Sequence, residues 1–479
     1  MTSDMRPYPE YKDSGLPWLG RIPAYWGVRA SKRMFTESGE RARPDDKQLS
    51  ATQAYGVILQ QDYERRVGRK VVRILNHLEK RKHVEEDDFV ISMRSFQGGL
   101  ERAWCRGAIR SSYVVLKPGE GIHVPYFAHL FKSHPYIQAL RTTSEFIRDG
   151  QDLTFWNFSR VQLPVIPLDE QKAIADYLDA NAVEVRRFIR NRRRLIEVLN
   201  EQKQAIINRA VTRGLDPDVP MKDSGIDEVG NVPKHWDVRQ LGRMGRFSKG
   251  NGGTKEDDVA EGVPCIRYGD LYMHYKFFVE RSHSHVSTER SCDYTSIQHG
   301  DILFAGSGET IEEIGKSAVN LVESRACCGG DVILFRPGMK LVPRFMGYAT
   351  YCWQGMSQKS RMGRGITIMH IYGDQLKYMW VALPPLPEQT AIVEYLCKAT
   401  AGIDAAKDHA QREIDLIREH RTRLIADVVT GKVDVRHLAP APGAELPESG
   451  PEDIDETLNG EISEEDEPEL VEEAADADD

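Results

Sequence analysis

The sequence has no apolar run near the ~20 residues that span a bilayer. Its opening, MTSDMRPYPEYKDSG, lacks the apolar stretch of a secretory signal, so the cytoplasm is the expected location. Its seven cysteines are odd in number and never spaced as CxxC, which argues against a disulfide framework and against a zinc site. The adjacent Cys327 and Cys328 read as small apolar fillers. Basic residues are missing from 441–479, which holds 17 Asp or Glu and no Lys or Arg. With so few large apolar side chains, this tail is expected to be disordered, either as a solubilising appendage or as an intramolecular competitor for a basic surface. Setting the tail apart changes the meaning of the net charge of −9. Residues 1–440 carry 64 basic against 56 acidic side chains, a balance of +8, which suits a polyanion partner.

What is present is repetition. PLDEQKAIADYL at 167–178 returns as PLPEQTAIVEYL at 385–396, identical at eight of twelve positions. KDSGLPWLGRIPAYWGVR (12–29) returns as KDSGIDEVGNVPKHWDVR (222–239), and AIINRAVTRG (205–214) is echoed by RLIADVVTGK (423–432). Offsets of 210 to 218 residues far exceed the ~50-residue limit of solenoid repeats, so the chain reads as two duplicated domains. Trp26 and Trp236 each follow a proline by three residues. They read as buried anchors that pin each head segment to the helix ends.

The segment after each PL-x-EQ motif has a seven-residue period. Leu178, Val185, Leu199 and Ile206 mark the first seam, with Arg192 between them, and Leu396, Ile403, Ala410, Ile417 and Leu424 mark the second. A seam held for four heptads signals paired helices of coiled-coil type, each roughly 65 Å long at ~1.5 Å per residue. Pairing within one chain is favoured by effective concentration, and duplicated units are expected to pack antiparallel about a pseudo-twofold axis. Gly214-Leu215-Asp216-Pro217 marks the stop after the first helix.

Residues 30–160 and 240–380 resemble each other little. Both mix strand-like runs (DDFVISM, SSYVVLKPG, GDILFAG, DVILFRPG) with helix-like ones (VPYFAHLFKS, VPRFMGYATYCW), an α+β pattern. One frame holding two different bodies suits a two-part, non-palindromic target. Base readers are polar side chains on loops or helix starts. The candidates are Arg94, Ser95 and Gln97 beside two glycines in MRSFQGG, Arg141 and Arg148 in RTTSEFIRDG, Lys249, Asn251, Thr254 and Lys255 in SKGNGGTK, and Arg361 and Arg364 in SRMGRG. The stripe Arg186, Arg190, Arg193 within RRFIRNRRR is open to three readings: a solvated face, a contact for a partner's acidic surface, or a contact for DNA phosphates.

Signs of chemistry are weak. FAGSG (304–308) looks like a methyl-donor turn, but no Asn or Asp followed by Pro-Pro and an aromatic residue accompanies it to grip a flipped adenine. GETIEEIGKS places six residues between its glycines where a phosphate loop has four. His283, His285 and His299 have no partners at metal spacing. No catalytic residue, metal or cofactor is assigned to the chain.

With these residues in view, the sequence resembles the specificity subunit of type I restriction-modification systems over about residues 10–436. The resemblance rests on the IPAYW and VPKHW heads, the LPVIPLDEQ and LPPLPEQ joints, and the stretches GDILFAGSGETIEEIGKS and GITIMHIYGDQLKYMWVALPPL. It implies a first target recognition domain (1–165), a first spacer helix (166–215), a second recognition domain (216–384), a second spacer helix (385–436) and the tail (437–479), which departs from the family pattern. It further implies a non-catalytic subunit bound to double-stranded DNA and to two modification subunits. Those subunits would use S-adenosylmethionine to methylate adenine N6, and restriction subunits would use ATP and Mg in the full complex. A stand-alone bipartite DNA-binding regulator and a coiled-coil structural protein are the rival readings.

Overall fold

A computed structural model of the chain describes residues 5–68, 80–92, 95–143, 153–253, 255–308, 310–365 and 368–440. The fold has two compact units, one formed by residues up to 194 together with those from 410 onward, the other by 195–409. The unit boundaries cut through the two long helices, Leu168–Arg213 and Leu386–Val429. Each unit therefore owns the start of one helix and the end of the other.

In the first unit, strand Tyr11–Asp13 pairs with Arg21–Pro23 to form the head, and Gly27–Ala30 pairs with Gln162–Val165, which runs into the first long helix. Between them lies a four-stranded antiparallel sheet in the order Phe35–Ser38, Val114–Pro118, Phe89–Ile91, Glu101–Arg102. The β-branched and aromatic residues of these short runs favour the pleated, half-buried surface. Helices Val124–Phe131 and His134–Arg141 each begin with proline in the first turn, where its missing N–H costs nothing. They close the core by edge and tilted contacts among Phe35, Phe89, Phe127, Phe131 and Phe158.

The second unit repeats the frame. Met221–Asp223 pairs with Asn231–Pro233, and Asp237–Gln240 pairs with Trp380–Leu383 ahead of the second long helix. Its body is different: a five-stranded sheet in the order Gly245–Lys249, Val332–Pro337, Ile302–Ala305, Ser317–Asn320, Phe277–Val279, and a four-stranded sheet in the order Ser284–Val286, Asp258–Ile266, Ala326–Cys328, Thr295–Ile297. Cys327 and Cys328 are buried in the latter.

Within each unit the helix segments run antiparallel. In the first, Leu178 shares a core with Leu424 and Val428 while Arg192 meets Glu413 at 3.0 Å. In the second, Ile207 and Ala210 share a core with Ile392 and Leu396 while Lys203 meets Asp404 at 2.6 Å. The second helix keeps its heptad phase, burying Leu396, Ile403, Ala410, Ile414, Leu424 and Val428, with Ile417 half-buried. The first helix does not. Leu178, Val185 and Ile189 are buried, Leu199 and Ile206 are only half-buried, and Ile207, Ala210 and Val211 take over the core. The position expected at Ile206 has moved by one residue, because a straight α-helix drifts ~20° per heptad against a strict seven-residue repeat.

Candidate nucleic-acid interface

The repeated phrases build the frame that carries the two bodies. Glu170 accepts hydrogen bonds from the Tyr8 hydroxyl (2.8 Å) and the Tyr25 hydroxyl (3.0 Å), tying the first head to the start of the first long helix. Burial and the Glu170 carboxylate push both phenols well above their usual range. In the second copy, Glu388 accepts from Trp236 Nε1 (3.1 Å) and lies 2.8 Å from His235 Nε2. The neighbouring glutamines serve the bodies. Gln171 Oε1 accepts from the backbone N–H of His123 (2.9 Å), and Gln389 Oε1 accepts from that of Val342 (3.0 Å). Each therefore fixes the start of a body helix, Val124–Phe131 or Pro343–Tyr351. Their Nε2 groups donate to the carbonyls of Ile166 and Pro384 in the joints.

The heads also hold the helix ends. Trp26 and Trp236 are fully buried, 0% exposed. Gly431, at φ +74°, leaves space for the first ring: a Cβ there would lie 2.7 Å from Trp26 and 2.6 Å from Pro23. Gly214, also at φ +74°, faces Trp236 and Pro233 less tightly: a Cβ there would lie 3.1 Å from Glu388 Oε1 and 3.4 Å from the Trp236 ring. Both glycines occupy the left-handed position that ends a helix. Glu170, Gln171, Glu388 and Gln389 were given no role by the sequence reading. The signal for them was their identity in both copies.

The proposed base readers sit on the bodies in unequal settings. In the first, Arg94 and Arg148 lie outside the described residues. Ser95 is buried and its hydroxyl accepts from the Ser92 N–H at 2.9 Å, so it caps a turn and does not face a ligand. The two glycines near it admit a close approach by the protein itself. A Cβ on Gly99 would lie 2.0 Å from the Phe131 carbonyl oxygen, and one on Gly98 2.5 Å from the Gln53 side chain. Gln97 is exposed, as is Arg141 in the last turn of its helix.

In the second body, Lys249 is exposed at the end of its strand. Asn251 is exposed too, but its amide donates to the Asp293 carbonyl (3.2 Å) and its backbone N–H to Thr295 Oγ1 (2.9 Å). The glycines after it are packed close to Tyr294 and Asp257. The Tyr294 hydroxyl and the Arg290 guanidinium hold the Asp257 carboxyl below its ordinary value. Thr254 and the Lys255 side chain lie outside the described residues. Arg361 is exposed and forms an ion pair with Glu228. Arg364 exchanges backbone hydrogen bonds with His370 at 2.9 and 2.7 Å. Together with the pairing of Ser307–Gly308 with Met369–His370, this joins the FAGSG and SRMGRG loops into one surface. Exposed aromatic rings were not anticipated. Tyr372 is 59% exposed beside His370, and Trp156 is 60% exposed with Arg160 over its ring at 4.5 Å. In Trp156 the only signal was helical spacing, which turns Phe155 and Phe158 inward and the residue between them out. Such rings offer stacking platforms, and the loop arginines and lysines offer groove or phosphate contacts.

Among the described residues, no group of three or more His, Cys, Asp or Glu side chains is placed to hold a metal ion, and no helix is long and apolar enough to cross a membrane.

Residues 233–415 match the type I restriction modification DNA specificity domain. The chain is 23% identical over 336 residues to the candidate type I restriction enzyme MjaX specificity subunit of Methanocaldococcus jannaschii, covering 67% of this chain and 71% of that one. It is 22% identical over 337 residues to the type I restriction enzyme EcoKI specificity subunit of Escherichia coli K12, covering 68% and 69%. A solved chain from a study of complex assembly in the type I R-M system superposes with a TM-score of 0.59 at 15% identity, over 86% of this chain and 99% of that one. At that identity the likeness is one of fold.

Proposed function

Since the chain belongs to the family of type I restriction-modification specificity subunits, which recognise DNA and are not catalytic, we propose that its two bodies each read one half of a bipartite, asymmetric DNA site. The paired helices set the distance between the halves and dock two modification subunits. Those subunits supply S-adenosylmethionine and the methyl transfer, and restriction subunits supply the ATP-driven activity. One observation supports this reading: equivalent positions build the frame twice, Gln171 and Gln389 each holding a body helix start and Glu170 and Glu388 each bound to its head, while the bodies it holds have different sheets. Symmetric function would need like bodies, whereas two unlike readers on one repeated frame suit a target whose halves differ. Gln97, Arg141, Lys249 and Arg364 are the proposed contacts to bases or phosphates, with Arg361 available once it leaves Glu228.

The test is single-molecule methylome sequencing of the host with and without this chain. A split adenine motif should disappear on deletion and return on complementation. An unchanged methylome, with the modification subunits present, would refute the reading.

A further inference from the structure

The first long helix carries more positive charge than its packing uses. Between Glu184 and Glu197 there is no acidic residue, and RRFIRNRRR (186–194) holds six arginines. Arg192 turns to the seam, where it pairs with Glu413 at 3.0 Å. At 100° per residue, Arg187, Arg190 and Arg194 fall on the face turned away from Val185 and Ile189, and Arg186 and Arg193 flank it. Arg187 and Arg190 are exposed and Arg193 is half-buried, and among the described residues none of these three has an ion-pair partner. The paired helix adds positive charge in the same unit. Arg421 sits in the seam, where burial and the nearby Arg186 depress its guanidinium to about 10.

Opposite charge is available in the same chain and close at hand. Residues 441–479 hold 17 acidic side chains and no basic one. They follow the second long helix, which ends at Val429. Because Arg192 meets Glu413, the arginine stretch lies level with a point 16 residues before that end, which is about 24 Å along the helix axis. A 39-residue segment can span far more than that at up to ~3.3 Å per residue, so the whole arginine face is within its length, and the tether raises the local concentration.

We propose that the acidic segment 441–479 docks on the arginine face of the first long helix, centred on Arg187 and Arg190 with Arg193 at its flank. The interaction is electrostatic and salt-sensitive, and it makes this face a regulated one: whatever polyanion or acidic partner approaches it must displace the chain's own tail. The inference goes beyond the DNA-recognition reading and does not rest on it.

The experiment uses the full chain with Leu470→p-benzoylphenylalanine as a photoreactive probe and mass spectrometry to map the crosslinks. At low salt the crosslinks should concentrate in residues 183–197. They should fall about fivefold or more when the ionic strength is raised from ~50 to ~500 mM, as the Debye length contracts. The same loss should follow Arg187→Gln/Arg190→Gln/Arg193→Gln at low salt, while the three Arg→Lys changes should keep the crosslinks. Crosslinks mapping elsewhere, or the same yield in the Gln variant with an unchanged melting temperature, would overturn the proposal and leave the face to a nucleic acid or a partner subunit. Should the Gln variant fold poorly, the salt series and the Lys variant decide: salt-insensitive crosslinks would count against docking.

Discussion

At the scale of single residues, two buried bases respond to pH in opposite ways. His83, 0% exposed, lies between Asp46 Oδ2 and Glu85 Oε1, both at 2.7 Å. Burial would depress its pKa, but the hydrogen bonds to Glu85 and Asp46 outweigh burial and raise it. A raised value means that the folded chain holds the proton more tightly than the unfolded one. The stabilisation is therefore complete below the unfolded value of about 6.5 and is lost as pH rises through the folded value. Lys359 is also 0% exposed, but it faces the Gly315 carbonyl (2.8 Å) and Ser317 Oγ (3.2 Å) with no carboxylate partner among the described residues, and burial lowers it to about 7. Between about 7 and the unfolded value of about 10.4 the unfolded chain binds more protons, so stability rises with pH across that window. Denaturant titrations at pH 6, 8 and 10 should show His83→Gln losing most relative to wild type at pH 6. Lys359→Met should gain most there, its advantage shrinking toward pH 10. Parallel pH curves for a variant and wild type would remove that residue as the cause.

The tryptophan anchors belong to the same scale. Trp26→Ala and Trp236→Ala should each cost roughly 3 to 5 kcal/mol, and Trp236 also loses its bond to Glu388. Gly431→Ala should destabilise the first unit through both its positive φ and its contact with Trp26. Denaturant unfolding reads all three. A surface-neutral result at either tryptophan would contradict its burial.

At the scale of elements, much was legible because short-range rules settle it. The runs FVI, VVLKP, ILFA and VILFRP form strands, and the prolines of VPYFAHLF and PRFMGYATY open helices, each from local composition alone. The heptads announced both long helices. The sequence could not announce where a straight helix slips against a seven-residue count, so Ile206 was expected in the core that Ile207 fills. The structure makes that slip measurable: Ile207→Ala should cost about 2 to 5 kcal/mol, and Ile206→Ala clearly less. Equal losses would restore the original phase. The site was harder to read, because a glycine that admits DNA and one that admits a neighbouring carbonyl look alike in sequence. Gly99, close against Phe131, is of the second kind. The exposed ring of Tyr372 follows from tertiary packing, which no periodicity encodes, whereas that of Trp156 was hinted at only by helical spacing.

At the scale of the whole molecule, the proposed function has the repeated frame separate holding from reading. Gln171 and Gln389 hold the start of a body helix through backbone groups, the N–H of His123 and of Val342, whose hydrogen bonds do not depend on side-chain identity. A body of different sequence that presents the same helix start should therefore be accepted. Replacing residues 245–379 with the equivalent segment of a relative of different specificity should change one half of the methylated motif and preserve the other, as read by methylome sequencing. A change in both halves would mean that the bodies do not read separately.

The division of the units across both long helices has a consequence for synthesis. The first unit needs residues from 410 onward, so its N-terminal part leaves the ribosome more than 200 residues before its missing strand-mate helix exists. At ~5 to 20 residues per second that is a wait of roughly 10 to 45 s. Throughout it the apolar stripe of Ile174, Leu178 and Val185 and the pocket for Trp26 stay open on the nascent chain, while the contiguous second unit completes first. Early capture by chaperones should therefore favour the half that is translated first and finished last.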